Sequence, residues 1–347
     1  MQRVGLAVCT IAVIVGLAGL AAVALGTRQP VPVPVALPGP RQVDAAAPLE
    51  TAPLTGLPVA DPAALARPVI AVRVDNAAQA RPQTSLDQAD IVFEEMIESG
   101  LTRFVALFHS VDPGTVGPVR SARNVDADLL PAFSPVLGTS GAAPGIEARL
   151  RAVGLRVLSE EQAPPGTFFR TREQRSPHNL FARPLQLWDA GTSLPPAVPP
   201  WPFGPPPSLG EQPATSARVV FSRDASATWT WDTERRTWLR QQDGRAHLVR
   251  SGGQVAAENV VFATVVTAPR GGIDAAGEPT VAIQAVGEGS AVVLRDGLAY
   301  DVRWRKASPY SQFEWVTRDG YPLPLAPGRT WIELVPTSGS LTVGQLP

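Results

Sequence analysis

The distribution of proline is the feature that most constrains how this chain can fold. Proline accounts for 37 of the 347 residues, and it is concentrated at boundaries rather than spread as a repeat. Residues 195–207 read Pro-Pro-Ala-Val-Pro-Pro-Trp-Pro-Phe-Gly-Pro-Pro-Pro, which can join neither a helix interior nor a central strand because proline lacks an amide donor. Residues 28–58 include Pro-Val-Pro-Val-Pro and predict an extended spacer. We therefore expect two folded regions, residues 59–193 and 217–347, joined by a linker at residues 194–216.

The amino-terminal residues 1–27 form a candidate membrane anchor. Residues Val4 to Leu25 carry no charged side chain. A helix of that length, rising about 1.5 Å per residue, matches a hydrocarbon core of roughly 30 Å. Arg3 precedes this run, so the positive-inside rule predicts a single-pass protein of the cell membrane with extracytoplasmic domains. The alternative is a secreted protein, because Ala22-Val23-Ala24 also fits the cleavage site of a signal peptide.

Charge and cysteine content argue against several classes of protein. With 30 basic and 31 acidic residues, the chain has no global charge that favours nucleic acid. Its single cysteine, Cys9, lies in the apolar run and cannot form an intramolecular disulfide, so the exported part depends on its apolar core. The three histidines are scattered without cysteine partners, which disfavours a zinc site. No dinucleotide or phosphate-loop fingerprint follows a strand, so we expect no metal and no cofactor.

The first region begins with patterns that are typical of strands. Val69 to Val74 is a short apolar run that predicts a buried strand. The alternating residues Asp90 to Glu98 are followed by a turn and by the apolar residues Leu101 to Phe108, which together predict a β-hairpin. A helix over Asp87 to Glu98 is the alternative for the first of these segments.

Helical spacing follows the hairpin. Asn124 to Phe133 predicts a helix with Ser121 as its N-cap, and Ile146 to Val153 predicts another. Between them, Pro135 to Leu137 predicts a short strand. Strands that alternate with helices indicate an α/β (or α+β) fold for the first region. In the second region, short β-rich runs separated by Asp-Gly turn signals indicate a smaller, mainly-β domain.

Residues 117–123, Gly-Pro-Val-Arg-Ser-Ala-Arg, carry two arginines on one short segment, which we name the arginine turn. Arg120 and Arg123 lie at the start of the predicted helix, where free amides and the helix dipole favour an anion. Guanidinium groups add bidentate recognition of phosphate or carboxylate. The alternative is that they pair with this region's own Asp75, Glu94 or Glu98. The candidate ligand-binding residues are Asp75, Arg81, Arg103, Arg120, Ser121, Arg123, Arg172 and Asn179.

Three residues are candidates for acid–base catalysis: Glu94, Glu98 and His178. The two glutamates share a face whether their segment is a strand or a helix, and paired carboxylates suit the cleavage of a glycosidic bond. A buried ion network is the alternative. His178 follows Pro177, so we expect it on a constrained turn, where it serves as a general base, binds a ligand or caps the turn.

Ten short segments of the exported chain together carry a family resemblance. They are Pro-Leu-Thr-Gly-Leu (53–57), Val-Asp-Asn (74–76), Arg-Pro-Gln (81–83), Ala-Asp-Ile-Val-Phe-Glu (89–94), Thr-Arg-Phe (102–104), the arginine turn, Ser-Pro-His-Asn-Leu (176–180), Val-Gly-Glu-Gly-Ser (286–290), Arg-Asp-Gly (295–297) and Pro-Gly-Arg-Thr-Trp (327–331). In these segments the chain resembles the YerB-like bacterial envelope proteins, known as domain of unknown function 3048. The resemblance implies a two-domain, envelope-attached protein without a settled activity. Many members look like lipoproteins, whereas Cys9 of this chain is not preceded by a Leu-small-small lipobox.

The residues and the resemblance together predict a protein that binds a cell-wall glycan or its lipid-linked precursor and is attached to the membrane by its amino-terminal helix. One alternative is an enzyme that acts on peptidoglycan, of the lytic transglycosylase or glycosidase type. Another is a transferase of polyprenyl-pyrophosphate-linked glycans. The strand that ends in Asp75, the Thr102-Arg103 step and the following Pro118 to Ser121 resemble the layout of the LytR-CpsA-Psr wall-polymer ligases, and this fold-level analogy implies that activity. The residues do not decide between binding and catalysis, and they leave the oligomeric state open.

Overall fold

The computed structural model describes residues 50–59, 62–208, 211–269 and 280–344. The predicted anchor at residues 1–27 and most of the spacer at residues 28–58 lie outside the described residues. Within the described part, no helix has both the length and the apolar character needed to cross a membrane. Residues Pro48–Pro347 form one compact unit.

The first region contains seven strands and three short α-helices within the described ranges. The strands are β1 Ile70–Asp75, β2 Ile91–Met96, β3 Thr102–Phe108, β4 Val136–Thr139, β5 Arg156–Ser159, β6 Phe168–Arg170 and β7 Leu180–Ala182. The helices are α1 Asp126–Leu129, α2 Pro144–Ala152 and α3 Pro184–Ala190, with 3-10 turns at Pro62–Ala66, Ala78–Ala80, Leu86–Gln88, Glu98–Gly100 and Pro131–Phe133.

The regular elements described beyond residue 208 are all strands, of which β8 lies within the predicted linker. They are β8 Gln212–Pro213, β9 Ser216–Ser222, β10 Ala225–Asp232, β11 Thr237–Gln242, β12 Arg245–Ala246, β13 Ala256–Ala257, β14 Asn259–Val265, β15 Thr267–Ala268, β16 Ala282–Ile283, β17 Gly287–Arg295, β18 Leu298–Lys306, β19 Glu314–Val316, β20 Thr330–Pro336 and β21 Ser340–Gly344. A large sheet has the order β19-β18-β17-β14-β20-β2-β3-β1-β4-β5, with β8 against β18, and a six-stranded sheet has the order β12-β11-β10-β9-β21, with β13 against β11. Two-stranded pairs join β15 to β16 and β6 to β7.

The predicted strands at the start of the first region are confirmed. β1 coincides with the apolar run that begins at Val69, and all six of its residues are buried. β2 and β3 pair in an antiparallel hairpin with Glu94 opposite Phe104, so the alternative helix over this segment is wrong. Both faces of these strands are covered, which is why their sequences are apolar on both sides rather than strictly alternating.

The helical content of the first region is lower than predicted. α2 lies over the predicted helix at Ile146–Val153. The predicted helix at Asn124–Phe133 is reduced to the four residues of α1, because a separate 3-10 turn begins at Pro131. Helices are therefore few and short, and the α/β (or α+β) fold expected for this region is corrected to a mostly β fold. The second region is mainly β, as predicted.

The large sheet contains strands from both predicted regions. β2 of the first region pairs in parallel with β20 of the second, and Glu94 lies beside Glu333 in this register. In the predicted linker, Trp201 is buried and its ring centroid lies 6.0 Å from that of Trp315. The two regions thus share one sheet and a packed connection, while the boundaries at residues 193 and 217 stay a prediction.

The large sheet has an apolar core on each face. On β1, Ala71 packs in a core that includes Leu150 of α2, on what we call the first face. Its neighbour Val72 packs in the other core, together with Trp229 of the six-stranded sheet, on the second face. Because successive side chains of a strand alternate, Arg73 and Asp75 of the same strand lie on the first face with Ala71.

Candidate anion-binding site

The candidate site lies at one edge of the large sheet. β1 and β4 are parallel, so their carboxyl ends, at Asp75 and Thr139, meet at the same edge. β3 runs antiparallel to β1 and begins at this edge, with Arg103 directly opposite Asp75. Loops at the carboxyl ends of parallel strands often carry ligand-binding groups, because a rigid sheet positions them at the surface.

The arginine turn runs along this edge without helical structure. The Arg120 amide donates to the Arg73 carbonyl at 2.9 Å, and the Ser140 amide donates to the Arg120 carbonyl at 3.1 Å. α1 begins only after Arg123 and is four residues long. The predicted helix terminus behind Arg120 and Arg123 is therefore wrong, and guanidinium groups rather than a helix dipole determine what this turn can bind.

Two arginines of the first face have buried carboxylate partners. Nη2 of Arg73 lies 2.5 Å from Glu95 and its Nη1 lies 3.0 Å from Asp126, and none of these side chains is exposed. Burial raises the pKa of Asp126 to about 6, although Arg73 opposes that shift. Nη2 of Arg123 lies 2.7 Å from Glu98. Arg123 is thus paired with a carboxylate of its own region, which is the alternative to ligand binding that the sequence left open.

Arg103 differs from these arginines because no carboxylate of the described residues lies within 4.0 Å of its guanidinium. It is 4% exposed, its Nε has no hydrogen-bond partner in the described part, and its Nη1 donates only a long bond of 3.4 Å to the Ser121 carbonyl. Burial, followed by the charges of Arg123 and Arg73, lowers the pKa of Arg103 to about 9, and Asp75 offsets part of this effect. A buried guanidinium without a directly bonded carboxylate favours the entry of an anion.

Asp75 connects two further candidates. Its Oδ2 lies 2.7 Å from Nδ1 of His178 and 3.4 Å from Nε of Arg120. Burial opposes ionisation of Asp75, but Arg103, the Ala77 amide, His178 and Arg120 hold the pKa of its carboxyl below the ordinary value. Among the described residues, no group of three or more His, Cys, Asp or Glu side chains could hold a metal ion. The ionised Asp75 therefore accepts a hydrogen bond from the His178 imidazole and forms an ion pair with the Arg120 guanidinium, and both of these partners reach the surface.

Ser121 lies at the same edge of the sheet as Asp75 and Arg103, whereas the side chains of Asn179 and Arg172 do not join these residues. The Ser121 hydroxyl lies 3.2 Å from that of Ser140, so Ser121 is not the helix N-cap that the sequence predicted. The Asn179 side chain accepts a hydrogen bond from Arg170 and fastens the β6–β7 hairpin. Arg172 is exposed, and within the described ranges its side chain forms no ion pair or hydrogen bond.

Arg81 has a structural role near the six-stranded sheet. Its Nη2 donates to the Asn76 carbonyl at 2.8 Å, and its Nη1 forms an ion pair with Asp243 at 2.8 Å. Asn76 in turn donates to Gln242, so these contacts tie the end of β1 to β11. Arg81 therefore joins the two predicted regions rather than facing the arginine turn.

Glu94 lies on the second face, in a buried network that sequence reasoning does not identify. Its carboxylate forms an ion pair with Arg240 of β11, and Glu94 lies beside Glu333 of β20 in the strand register. Nε of Arg240 lies 3.8 Å from Glu333, and its Nη1 donates to Nδ1 of His247 at 2.6 Å. Burial, and then the charge of Glu94, raise the pKa of Glu333 well above its ordinary value. Burial and Arg240 lower the pKa of His247, so the imidazole is neutral.

The expected placement of Glu94 and Glu98 on one face is wrong. β2 ends at Met96, and a 3-10 turn follows, so strand alternation does not continue to Glu98. Glu94 pairs with Arg240 on the second face, whereas Glu98 pairs with Arg123 beside the first face. The sheet separates the two carboxylates.

One of the missed residues left a signal in the sequence. Arg73 interrupts the apolar run Val69–Val74, and a charged residue inside a fully buried strand requires a buried partner. That partner is Glu95 of β2, and β3 lies between β1 and β2 in the sheet. Arg240 has no comparable signal, because its strand is amphipathic and its partners lie far away in the sequence.

Known proteins match both regions of the chain. A family model described as "Protein of unknown function (DUF3048) N-terminal domain" matches residues 54–195, and one described as "Protein of unknown function (DUF3048) C-terminal domain" matches residues 217–332. The "Putative lipoprotein YerB" of Bacillus subtilis (strain 168) is 29% identical over 301 residues, which is 85% of this chain and 88% of that protein. The crystal structure of the YerB protein from Bacillus subtilis is similar with a TM-score of 0.73 and 26% identity, over 84% of this chain and 99% of that chain.

Proposed function

Because this chain belongs to the DUF3048 family, whose N-terminal and C-terminal domains it contains, we propose that it is an envelope-attached binding protein. Its ligand is a cell-wall glycan or a lipid-linked glycan precursor, and the arginine turn holds the phosphate or pyrophosphate of that ligand. The name of the Bacillus subtilis relative describes a lipoprotein, which supports attachment to the envelope. Residues 1–27 anchor this chain, and the folded part lies outside the membrane.

The observation that carries this proposal is the buried guanidinium of Arg103. Its nearest cationic neighbours are also arginines, and no carboxylate of the described part lies within ion-pair distance of it. Arg120, which is 25% exposed, makes a contact of 3.4 Å with Asp75 and provides the rim of the site. A phosphate oxygen can bond to either guanidinium, and charge-assisted bonds of this kind are stronger than neutral ones.

The carboxylates that suggested a glycosidase do not support that alternative. Glu94 is fully buried and Glu98 is nearly so, and each is neutralised by an arginine on its own side of the sheet. Two acids that flank a glycosidic bond must face one shared cleft at a separation of roughly 5–10 Å. These two residues instead support an internal ion network.

Binding of a phosphate-type anion is measured by isothermal titration calorimetry on the full-length protein in a mild detergent. The probes are inorganic pyrophosphate and geranylgeranyl pyrophosphate. Arg120→Ala removes a charge-assisted bond and is expected to weaken binding by about 10- to 100-fold. Arg223→Ala is the matched control, because the Arg223 side chain is 94% exposed and pairs only with its neighbour Asp224 in the described part. Equal affinity in wild type and Arg120→Ala contradicts the proposal.

A second measurement separates binding from cleavage. The same protein is incubated with purified cell wall, sedimented, and the supernatant is analysed for muropeptides. A binding protein sediments with the wall and releases nothing, whereas release of muropeptides identifies a peptidoglycan-cleaving enzyme.

A further inference from the structure

Asp75 holds the His178 ring in one orientation. The carboxylate is 3% exposed, its Oδ1 accepts the Ala77 amide at 3.0 Å, and its Oδ2 lies 2.7 Å from Nδ1 of His178. An ionised carboxylate can only accept a hydrogen bond, so the imidazole proton belongs on Nδ1. The lone pair of the neutral ring is then on Nε2.

Nε2 of His178 is open to solvent. It makes no hydrogen bond with any residue of the described ranges, and it is not among their buried unpaired atoms. His178 lines a surface groove of about 480 Å³. The groove is otherwise lined by the polar residues Gln79, Glu173, Gln174, Arg175 and Ser176. Such a groove suits a hydroxyl-bearing molecule, and Nε2 is available to accept a proton from it.

The same oxygen of Asp75 brings this imidazole close to the arginine turn. Nδ1 of His178 and Nε of Arg120 lie 2.7 Å and 3.4 Å from Oδ2, so these two nitrogens are at most 6.1 Å apart. Nη1 of Arg120 also approaches the Pro177 carbonyl, at 3.4 Å. A phosphate bound to Arg120 is therefore next to the imidazole, and Arg103, deeper at the same edge, offers a second position for negative charge.

We propose that His178, positioned by Asp75, is the catalytic base in the transfer of a phosphoryl group from a phosphoanhydride to a hydroxyl. This inference rests on the proposed function, because the arginine turn holds the donor. The donor is a prenyl-type pyrophosphate ester, and the acceptor is water or the hydroxyl of a sugar in the groove. The acceptor oxygen forms a bond to the attacked phosphorus while its proton passes to Nε2. The bond between that phosphorus and the bridging oxygen breaks, and the electron pair leaves with the departing phosphate, whose charge is held by Arg103 and Arg120.

The test is turnover of geranylgeranyl pyrophosphate by the full-length protein in a mild detergent, with and without methyl glucoside as acceptor. Products are followed by phosphorus-31 NMR, which distinguishes inorganic phosphate from a sugar phosphate. Positioned general bases contribute about 10²- to 10⁴-fold to a rate. His178→Gln is therefore expected to lower turnover at least 100-fold while affinity for pyrophosphate changes less than about threefold.

Asp75 is a positioning residue, and its variants distinguish that role from a structural one. Asp75→Asn is expected to lower the rate, because the imidazole loses its charged acceptor, and Asp75→Glu to restore part of the rate. Arg223→Ala serves as the exposed control, and thermal unfolding verifies that each variant is folded. Intact pyrophosphate binding without turnover, or full turnover by His178→Gln, overturns the assignment of the base. If the wild-type protein does not bind pyrophosphate, the proposed function itself is overturned.

Discussion

Glu94 and Glu333 are expected to share one negative charge against Arg240, and a double-mutant cycle tests this arrangement. The two carboxyls lie side by side on β2 and β20, and both approach the same guanidinium. Burial and the neighbouring Glu94 raise the pKa of Glu333 well above its ordinary value, which favours the protonated form of the Glu333 carboxyl. In Glu333→Gln the neutral amide replaces the carboxyl, and Glu94 remains to pair with Arg240. In Glu94→Gln the remaining Glu333 can ionise and pair with Arg240.

The magnitudes follow from the burial of all three groups, which are 0% exposed. Each single substitution keeps one carboxylate for Arg240 and is expected to cost about 1 kcal/mol, the value of one hydrogen bond. The double substitution leaves the guanidinium buried without a partner, and breaking a buried ion pair costs about 3–5 kcal/mol. The coupling free energy is therefore about 2 kcal/mol, within the range known for residues of one network.

The cycle is measured on residues Pro48–Pro347, the compact unit that contains the network. Urea unfolding is followed by tryptophan fluorescence, which reports on this region because the rings of Trp229 and Trp331 lie 5.8 Å and 4.9 Å from the Arg240 guanidinium. The control combines Glu94→Gln with Glu288→Gln, whose side chain is 55% exposed. We expect the control pair to add within about 0.5 kcal/mol. If the free-energy changes of Glu94→Gln and Glu333→Gln also add within about 0.5 kcal/mol, the shared charge is refuted.

Three further predictions concern pH and packing. The pKa of Glu333 is raised in the folded state, so the contribution of this group to stability is complete below the unfolded-state pKa and is lost as pH rises through the folded-state pKa. The midpoint of urea unfolding should therefore fall with pH in this range. Glu333→Gln should remove this part of the pH dependence. Burial lowers the pKa of Lys306 to about 8 in the folded state. Between about pH 8 and the ordinary pKa of lysine the unfolded chain binds more protons than the folded one, so the free energy of unfolding should rise with pH. Lys306→Met should not show this rise. Gly117→Ala should destabilise by about 1–3 kcal/mol in thermal unfolding, because its Cβ would lie 2.7 Å from the Phe181 ring and 2.9 Å from the Leu180 carbonyl; an unchanged midpoint contradicts this.

Local patterns predicted those elements whose burial depends on nearby residues. β1, the β2–β3 hairpin and α2 were all predicted, because apolar runs and helical spacing specify which side of a short segment is buried. The helix after the arginine turn was predicted too long, since Pro131 divides that segment into two separate turns. Periodicity does not reveal such a division when the residues on both sides are apolar.

The candidate site could be predicted in part. Asp75, Arg103, Arg120 and His178 were selected from the sequence, and the structure brings them to one sheet edge. Their proximity follows from local features: β1 ends at Asp75, and β3 begins opposite it after a tight hairpin. Arg81, by contrast, was selected on charge alone, and its partner Asp243 lies in the second region, where local sequence gives no indication of it.

The amino-acid sequence by itself determined β1, the β2–β3 hairpin, β4 and α2 in the first region, and the mainly-β character of the second. It also selected Asp75, Arg103, Arg120 and His178 as candidates for a ligand site. The tertiary structure alone decided that β2 pairs with β20, that Arg240 is buried against Glu94, and that the sheet separates Glu94 from Glu98. The physical reason is the range of the interactions involved. Turns and apolar periodicity act between residues a few positions apart, whereas parallel strand pairing and buried ion pairs join residues that only the complete fold brings together.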